Sequence, residues 1–558
     1  TGSMNTGFGS NALQQNTTAS NNTGVGRLAL CNNTTGADNT AVGMESLDAN
    51  TTGSNNCAFG KSSLGANTTG AQNTALGTSA LLANTTADNN TAVGYNALVT
   101  NTTGYANTGL GRYALRYNTE GHNLVGLGRD ALGANTTGNY NTAVGSLTLD
   151  ANTTGGANTA LGYACLGDNT TGSSNIAVGY SALKTTTTVS DQVAIGYKAL
   201  ESANDSSIYN TAIGFEALQD LTTGTRNIAI GWKAATALTT SARCIIIGQN
   251  AAQAVMTGDD NIIIGREAGH AMTSASTNVA VGNYALQDNT TGGGNVAIGM
   301  EAMQTTTTGI DNTAVGRKAL ELNTTGDYNV AVGGQAVAQN TTGDYNVGVG
   351  QGALYVNTTG TVNTACGKHS LISNTTGSYN TACGGGALEQ TTTGSNNTAV
   401  GFEALEENTT ASNNVAVGLY ALRKNTTGTQ NVAVGAYAGD AITTGGGNVQ
   451  VGYWAGSTAT TSNHNTNIGY YSGWSGTGYQ NTTLGTYSGY NLSTGLNNTL
   501  LGYNAGTSDS PSGQITSDNN FFVLGDDNVA NLYCADSSIN SSDSRDKADI
   551  TNFTPGLA

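Results

Sequence analysis

The sequence predicts an all-β chain, a parallel β-solenoid (β-roll) of about 30 coils of 17 residues, assembled as a homotrimeric fibre. Three observations predict it. A glycine returns at a fixed interval along most of the 558 residues. A short motif with strand chemistry, N-T-A-V-G, stands before each of those glycines. Only 9% of the residues are charged, with 79 glycines and 2 prolines. That is far from the roughly 25% charge of an ordinary soluble domain.

The closing glycine runs from Gly9 and Gly26 to Gly196, resumes at Gly214, continues to Gly469, and ends with Gly485 and Gly502. Of the 29 intervals between these 30 glycines, 27 are 17 residues. A fixed period signals stacked supersecondary units, so the length measures the reach of one array more than a number of domains.

Each coil reads in order. In Asn39-Thr40-Ala41-Val42-Gly43, Thr40 and Val42 face one way and Ala41 and Gly43 the other, as in a strand. The A-L pair that follows, such as Ala97-Leu98, reads as a second strand or extended segment. N-T-T-G reads as a corner, since Asn and Gly tolerate left-handed backbone. Seventeen residues cannot hold two helices and a loop, and a unit this small has no core of its own. Stacking on identical units supplies one. At a strand spacing of about 4.8 Å, 30 coils make a rod of roughly 140 Å.

Two columns are expected inside. The residue before the closing glycine is always aliphatic, Phe or Cys (Val42, Phe59, Leu76, Val93), which predicts one inward column. Ala and Leu give the second. Asn stands four residues before the glycine in 27 of 30 coils and predicts a ladder of amide hydrogen bonds. On this register Cys366 and Cys383 stack in the inward column, and the expectation is two free core thiols. The seven cysteines, odd in number and without C-x-x-C spacing, are neither a disulfide framework nor a zinc site. About four apolar residues per coil make a thin core. Further apolar surface is therefore expected to be covered by other chains, most simply in a trimer.

Composition excludes other classes. No stretch approaches the ~20 apolar residues of a membrane helix, so membrane insertion is not expected. A net charge of −17 argues against a nucleic-acid surface, which needs Lys and Arg on phosphates. The four histidines sit in different coils, so no metal is expected, nor any cofactor. G-x-G-x-x-A at Gly24–Ala29 falls out of the repeat, with no helix to receive a phosphate. The 17 N-T-T triplets match the N-glycosylation sequon but read as bare turns.

Two resemblances add to this. Asn227-Ile228-Ala229-Ile230-Gly231 and Asn295-Val296-Ala297-Ile298-Gly299 resemble the head repeats of trimeric autotransporter adhesins, which implies trimeric β-rolls. The adhesin repeat is shorter than 17 residues, so the likeness is to the strand motif. The full N-T-A-V-G…A-L…N-T-T-G array, about Asn5 to Gly506, is similar to repeats of phage tail fibres and related secreted bacterial fibres. Near the end, Ser542-Asp543-Ser544-Arg545-Asp546-Lys547-Ala548-Asp549-Ile550 and Thr554-Pro555-Gly556-Leu557-Ala558 resemble the start of the endosialidase-type intramolecular chaperone (S74 peptidase) domain. That resemblance implies trimerisation and autocleavage at Ser542–Asp543, with Lys547 activating the Ser542 hydroxyl. The chain stops at Ala558, so nearly all of that domain lies outside it, and cleavage by this chain does not follow from the resemblance. The opening Thr1-Gly2-Ser3 shows no signal peptide and is already in a repeat by Asn5, so the sequence reads as a fragment and the missing signal carries little meaning.

The expected organisation is a solenoid shaft over 1–506, a capping or transition segment over 507–540, and the truncated start of the chaperone domain over 541–558. Asn520-Phe521-Phe522-Val523-Leu524-Gly525 reads as a last strand that caps the stack. Aromatics collect from Tyr437 to Tyr503, where A-L becomes A-G or S-G. Trp454, Tyr470, Tyr471, Trp474, Tyr479, Tyr487 and Tyr490 are the candidate ligand face, with aromatic column packing as the alternative. The functional expectation is a structural, non-enzymatic shaft of an extracellular fibre, a phage tail fibre for host attachment that contacts a cell-surface glycan or receptor. The alternative is a secreted or cell-surface bacterial fibre or adhesin. A tailspike glycosidase with carboxylates paired across coils is the third reading.

Overall fold

In the computed structural model, residues 2–530 are described. All of the regular structure among them is β. The chain divides into two units, 1–393 and 394–558. The first holds 23 three-residue strands, from Thr6–Phe8 to Thr381–Cys383, and the second holds eight, from Thr398–Val400 to Phe522–Leu524. Within each unit every strand pairs in parallel with the next, offset by one period; Thr91, Ala92 and Val93 register on Thr108, Gly109 and Leu110. Each unit is a parallel β-solenoid.

The coil Asn90–Ala106 shows why the sequence takes this path. Thr91–Val93 is the strand. Gly94 follows at φ 134°, and a Cβ there would lie 2.6 Å from the Gly111 carbonyl oxygen of the next coil. Both the backbone angle and the close approach demand glycine, and no coil substitutes it. Two tight turns then carry Asn96 at φ 54° and Leu98 at φ 51°. The backbone stays bonded up the stack throughout. Thr91 N donates to Asn107 O (2.8 Å), Leu98 N to Ala114 O (2.9 Å) and Thr102 N to Thr119 O (3.0 Å).

The A-L segment is thus a turn, not a second strand. A left-handed leucine costs roughly 1–2 kcal/mol. Leu98 is fully buried, and burying a leucine contributes about 1.5–3 kcal/mol. The burial outweighs the strain. The N-T-T-G corner also differs from expectation. Neither Asn101 nor Gly104 has a positive φ; the left-handed residue is Ala106, two places beyond.

The inward strand column is the alanine, not the residue before the glycine. Ala92 is fully buried, whereas Phe59, Leu76 and Leu110 are 53%, 46% and 41% exposed. The cross-section is too narrow for a large side chain from the strand and a leucine from the turn together. Where the strand does point a large residue inward, the turn shrinks. Ile246 pairs with Ala252, Ile263 with Gly269, Gln450 with Gly456, Asn467 with Gly473 and Leu500 with Gly506. Cys366 and Cys383 do register on each other, but in the outward column, and both are free thiols. Of the six described cysteines, Cys31, Cys165 and Cys244 are buried.

Two asparagine columns line the core. The strand Asn bonds chiefly to backbone: Asn90 Oδ1 accepts from Asn107 N (3.0 Å), and Asn90 Nδ2 donates to Gly104 O (2.9 Å). The Asn of N-T-T makes the side-chain ladder. Asn101 Nδ2 donates to Asn84 Oδ1 (3.0 Å) and to Gly104 O (2.8 Å). These ladders come in runs. From Ala203 to Met272 the same position is apolar, Ala203, Leu221, Leu238, Val255 and Met272; all but Val255 are buried, and in that coil Met256, one place on, is buried instead. Asn169, Asn374 and Asn425 each end a run, and the Oδ1 of each is a buried acceptor with no donor.

In the second unit, Ile515 N bonds Gly506 O (2.9 Å) and closes a loop. Ile515 packs on Leu492, Leu500, Ala505 and Val523. The strand Phe522–Leu524 then pairs with Thr499–Leu501, as the sequence suggests for a last strand.

Candidate functional surfaces

The predicted aromatic face lies in the second unit and is built by two neighbouring columns after the closing glycine and a third, Trp474 and Tyr490, five residues after it. Tyr453 and Tyr470 follow it directly; Trp454, Tyr471 and Tyr487 come one residue later. Trp454 stacks on Tyr437 (4.5 Å between centroids, 4° between planes) and Trp474 on Tyr490 (4.9 Å, 10°). Tyr471 stands at the centre, against Trp454, Tyr470, Trp474, Tyr487 and Tyr490. Six of the seven candidate residues therefore form one ring network. Tyr479 does not join it: it lies on the other side of the strand. Because many rings stack face to face, much of what they offer to solvent is edges and hydroxyls.

No protein-family model matches the chain, and no curated protein matches it.

Other candidates are placed as follows. Ser542 and Lys547 lie outside the described residues. Sixteen of the 17 sequon asparagines, all but the half-exposed Asn16, are buried with their amides in the core. His122 stacks on Tyr105 (4.7 Å) and meets Tyr140 edge-on. Among the described residues no group of three His, Cys, Asp or Glu is arranged to hold a metal, and no helix is long and apolar enough to cross a membrane.

A notch of about 330 Å³ opens in the first unit, lined by Arg116, Tyr117, Asp130, Gly133, Ala134, Leu147 and Asp150. Its origin is local. Gly133 and Ala134 leave a gap in columns that the coil below fills with Arg116 and Tyr117 and the coil above with Asp150. Burial, aided by the charges of Asp168 and Asp130, pushes the Asp150 carboxyl above the usual range. Arg129 pairs with Asp130 (3.4 Å).

The sequence reading missed two features. One is the outward face of the strands, which carries an uncharged residue at both positions of every coil. The other is a ladder of five rings, Tyr163, Tyr180, Tyr197, Phe215 and Trp232, at centroid spacings of 5.0–6.1 Å. Its signal was present: an aromatic directly after the closing glycine in five successive coils.

Proposed function

We propose that this chain is the shaft of a homotrimeric extracellular fibre, of the kind that phage tail fibres use for host attachment. One observation carries the reading. The outward strand face is uncharged and half-exposed in both units: the position before the closing glycine is apolar in every coil, and the first strand position is Thr in 16 of 30 coils and Val, Ile or Cys in the rest. A long uncharged stripe of this kind marks a surface that other chains cover. The edges and hydroxyls of the Trp454–Tyr490 network are the surface we assign to a cell-surface glycan or protein receptor, through hydrogen bonds more than ring-face stacking. Light scattering on the full chain tests the assembly; a monomer at micromolar concentration would sink it. Cryo-EM of the native particle then separates a virion fibre from a free bacterial filament.

A second reading, a tailspike glycosidase, is favoured by the notch with Asp130 and Asp150, where a raised carboxyl suits a general acid. Loss of saccharide hydrolysis in Asp150→Asn, with hydrolysis by the parent chain, would establish it. No hydrolysis by the parent chain would remove it.

A further inference from the structure

Within 1–393 the uncharged strand face is bordered by two columns whose charged residues are mostly of opposite sign. The residue after the closing glycine is never Asp or Glu in the 30 coils, yet it is Lys or Arg in seven, all in this unit. Arg27 pairs with Glu45 and Arg129 with Asp130 in the next column out, which mixes both signs. The other five, Lys61, Arg112, Arg266, Arg317 and Lys368, are exposed and have no carboxylate within ion-pair distance among the described residues.

The opposite border, five and six residues before the glycine, carries Asp in seven of the 23 coils and Arg in two, and is otherwise uncharged. Asp38, Asp88, Asp191, Asp311, Asp327 and Asp344 stand there without an ion-pair partner among the described residues. Asp88, Asp327 and Asp344 each spend one oxygen on a backbone N–H of the coil below (2.7, 2.8 and 2.8 Å). Asp259 and Asp260, on the same border, are taken by Arg243. Arg226 lies over Tyr209.

Four of the five unpaired cations also match an unpaired acid in height; Arg266 is level only with Asp259 and Asp260, Asp191 has no such cation near its level, and Arg112 and Arg266 lie over Tyr113 and Tyr284. Arg317 and Asp311 flank the same glycine, Gly316. Lys61, Arg112 and Lys368 each stand one coil from Asp38, Asp88 and Asp344, an axial offset of about 5 Å. Copies packed by this face and running parallel about a common axis set the cationic border of one against the acidic border of the next. Antiparallel packing of the same faces would set cation against cation. Between the charged stretches, the Tyr163–Trp232 ladder and the aliphatic pairs Ile176/Val178 and Ile228/Ile230 provide an apolar centre. Each coil offers about 5 Å of height by roughly 10 Å of strand. The 23 coils therefore offer roughly 1,000 Å² per chain, about 500 Å² toward each of two neighbours, so that a closed trimer buries roughly 3,000 Å² in all.

We infer that the strand face of 1–393 is the contact between parallel, in-register copies of this chain, and that its two charged borders pair across that contact. This rests on the trimeric reading above and adds its face, direction and register.

The test is charge reversal in the full chain, read by sedimentation velocity with circular dichroism as the control for folding. Arg317→Glu and Asp311→Lys should each weaken association by about tenfold, since each pair recurs around the axis. The double variant should recover most of the loss. Arg317→Cys with Asp311→Cys in one chain should cross-link chains under glutathione disulfide. Cys57, Cys366 and Cys383, all in the strand face, should be shielded from iodoacetamide in the assembly. A trimer that ignores charge reversal, gives no cross-link and leaves these thiols open overturns the interface and leaves the trimer standing. A monomer overturns both.

Discussion

Asn118→Ala tests whether the buried amide column holds the coils together. Asn118 Nδ2 donates to Asn101 Oδ1 (2.8 Å) and Gly121 O (2.9 Å), and its Oδ1 accepts from Asn135 Nδ2 (2.8 Å). Alanine leaves Asn101 Oδ1 buried without a donor. Gly121 O keeps Asn107 Nδ2 (2.8 Å), and Asn135 Nδ2 keeps Gly138 O (3.1 Å). One orphaned acceptor costs about 1–3 kcal/mol and two further lost bonds about 1 kcal/mol each, so the local loss is roughly 3–5 kcal/mol. A solenoid coil feels only its neighbours, so the effect should be local. Hydrogen exchange read by mass spectrometry should show amides of 101–135 losing protection by roughly 10²–10⁴-fold, with distant coils unchanged. The triple variant Asn101→Leu, Asn118→Leu, Asn135→Leu removes donors together with acceptors. It orphans only Asn84 Oδ1, which Asn101 now satisfies. It should therefore cost about as much as the single change. A threefold larger loss, or a single change that leaves local exchange untouched, would refute the reasoning.

Four further outcomes follow from the same contacts. Gly94→Ala should open its coil to protease nicking, with a local loss above about 3 kcal/mol, because the angle and the Gly111 carbonyl both exclude a Cβ. Thr306→Asn should stabilise locally by about 1 kcal/mol in hydrogen exchange, since it joins the Asn289 and Asn323 runs and removes the unpartnered Thr306 hydroxyl. Secreted from a glycosylating host, the folded product should show no glycan on the N-T-T asparagines from Asn33 to Asn425 in site-resolved peptide mapping, because those amides are in the core, whereas exposed sequons such as Asn89 and Asn204 stay open to it. Asp150→Asn should raise thermal stability at pH 7. Its folded carboxyl titrates above the unfolded one, so ionising it destabilises the fold above the folded pKa. The gain should fade as pH falls and be gone below the unfolded carboxyl range, near pH 3.

The period, the strand and the obligatory glycine were legible because each is a fixed local requirement repeated many times. Which face of the strand points inward was not. Thr-Ala-Val alternates cleanly, but hydrophobicity alone favours valine for the interior. What decides is the width of the coil, which is set by Leu98 from the opposite turn and appears only when the coil closes. The A-L pair misled for a related reason: leucine is a poor left-handed residue in isolation, and its burial shows only in the stack. The aromatic cluster of 437–503 was legible as a cluster. The exclusion of Tyr479 depends on which side of the strand each position falls. The N-T-T ladder was hidden because the triplet reads as turn chemistry, while its asparagine points inward.

The ends of the asparagine runs bear on how such a chain can grow. A junction such as Asn169 or Asn425 carries the same orphaned acceptor whether the run behind it is two coils long or ten. Copying a coil from within a run adds one amide bond and no junction. Inserting a coil of another type splits the run and creates one. Gene duplication inside a run therefore lengthens the array by one strand spacing at a time without a new orphaned acceptor, while inserting an unlike coil costs one. The blocks now in the sequence, asparagine from Asn16 to Asn169 and apolar from Ala203 to Met272, are the record expected of that asymmetry.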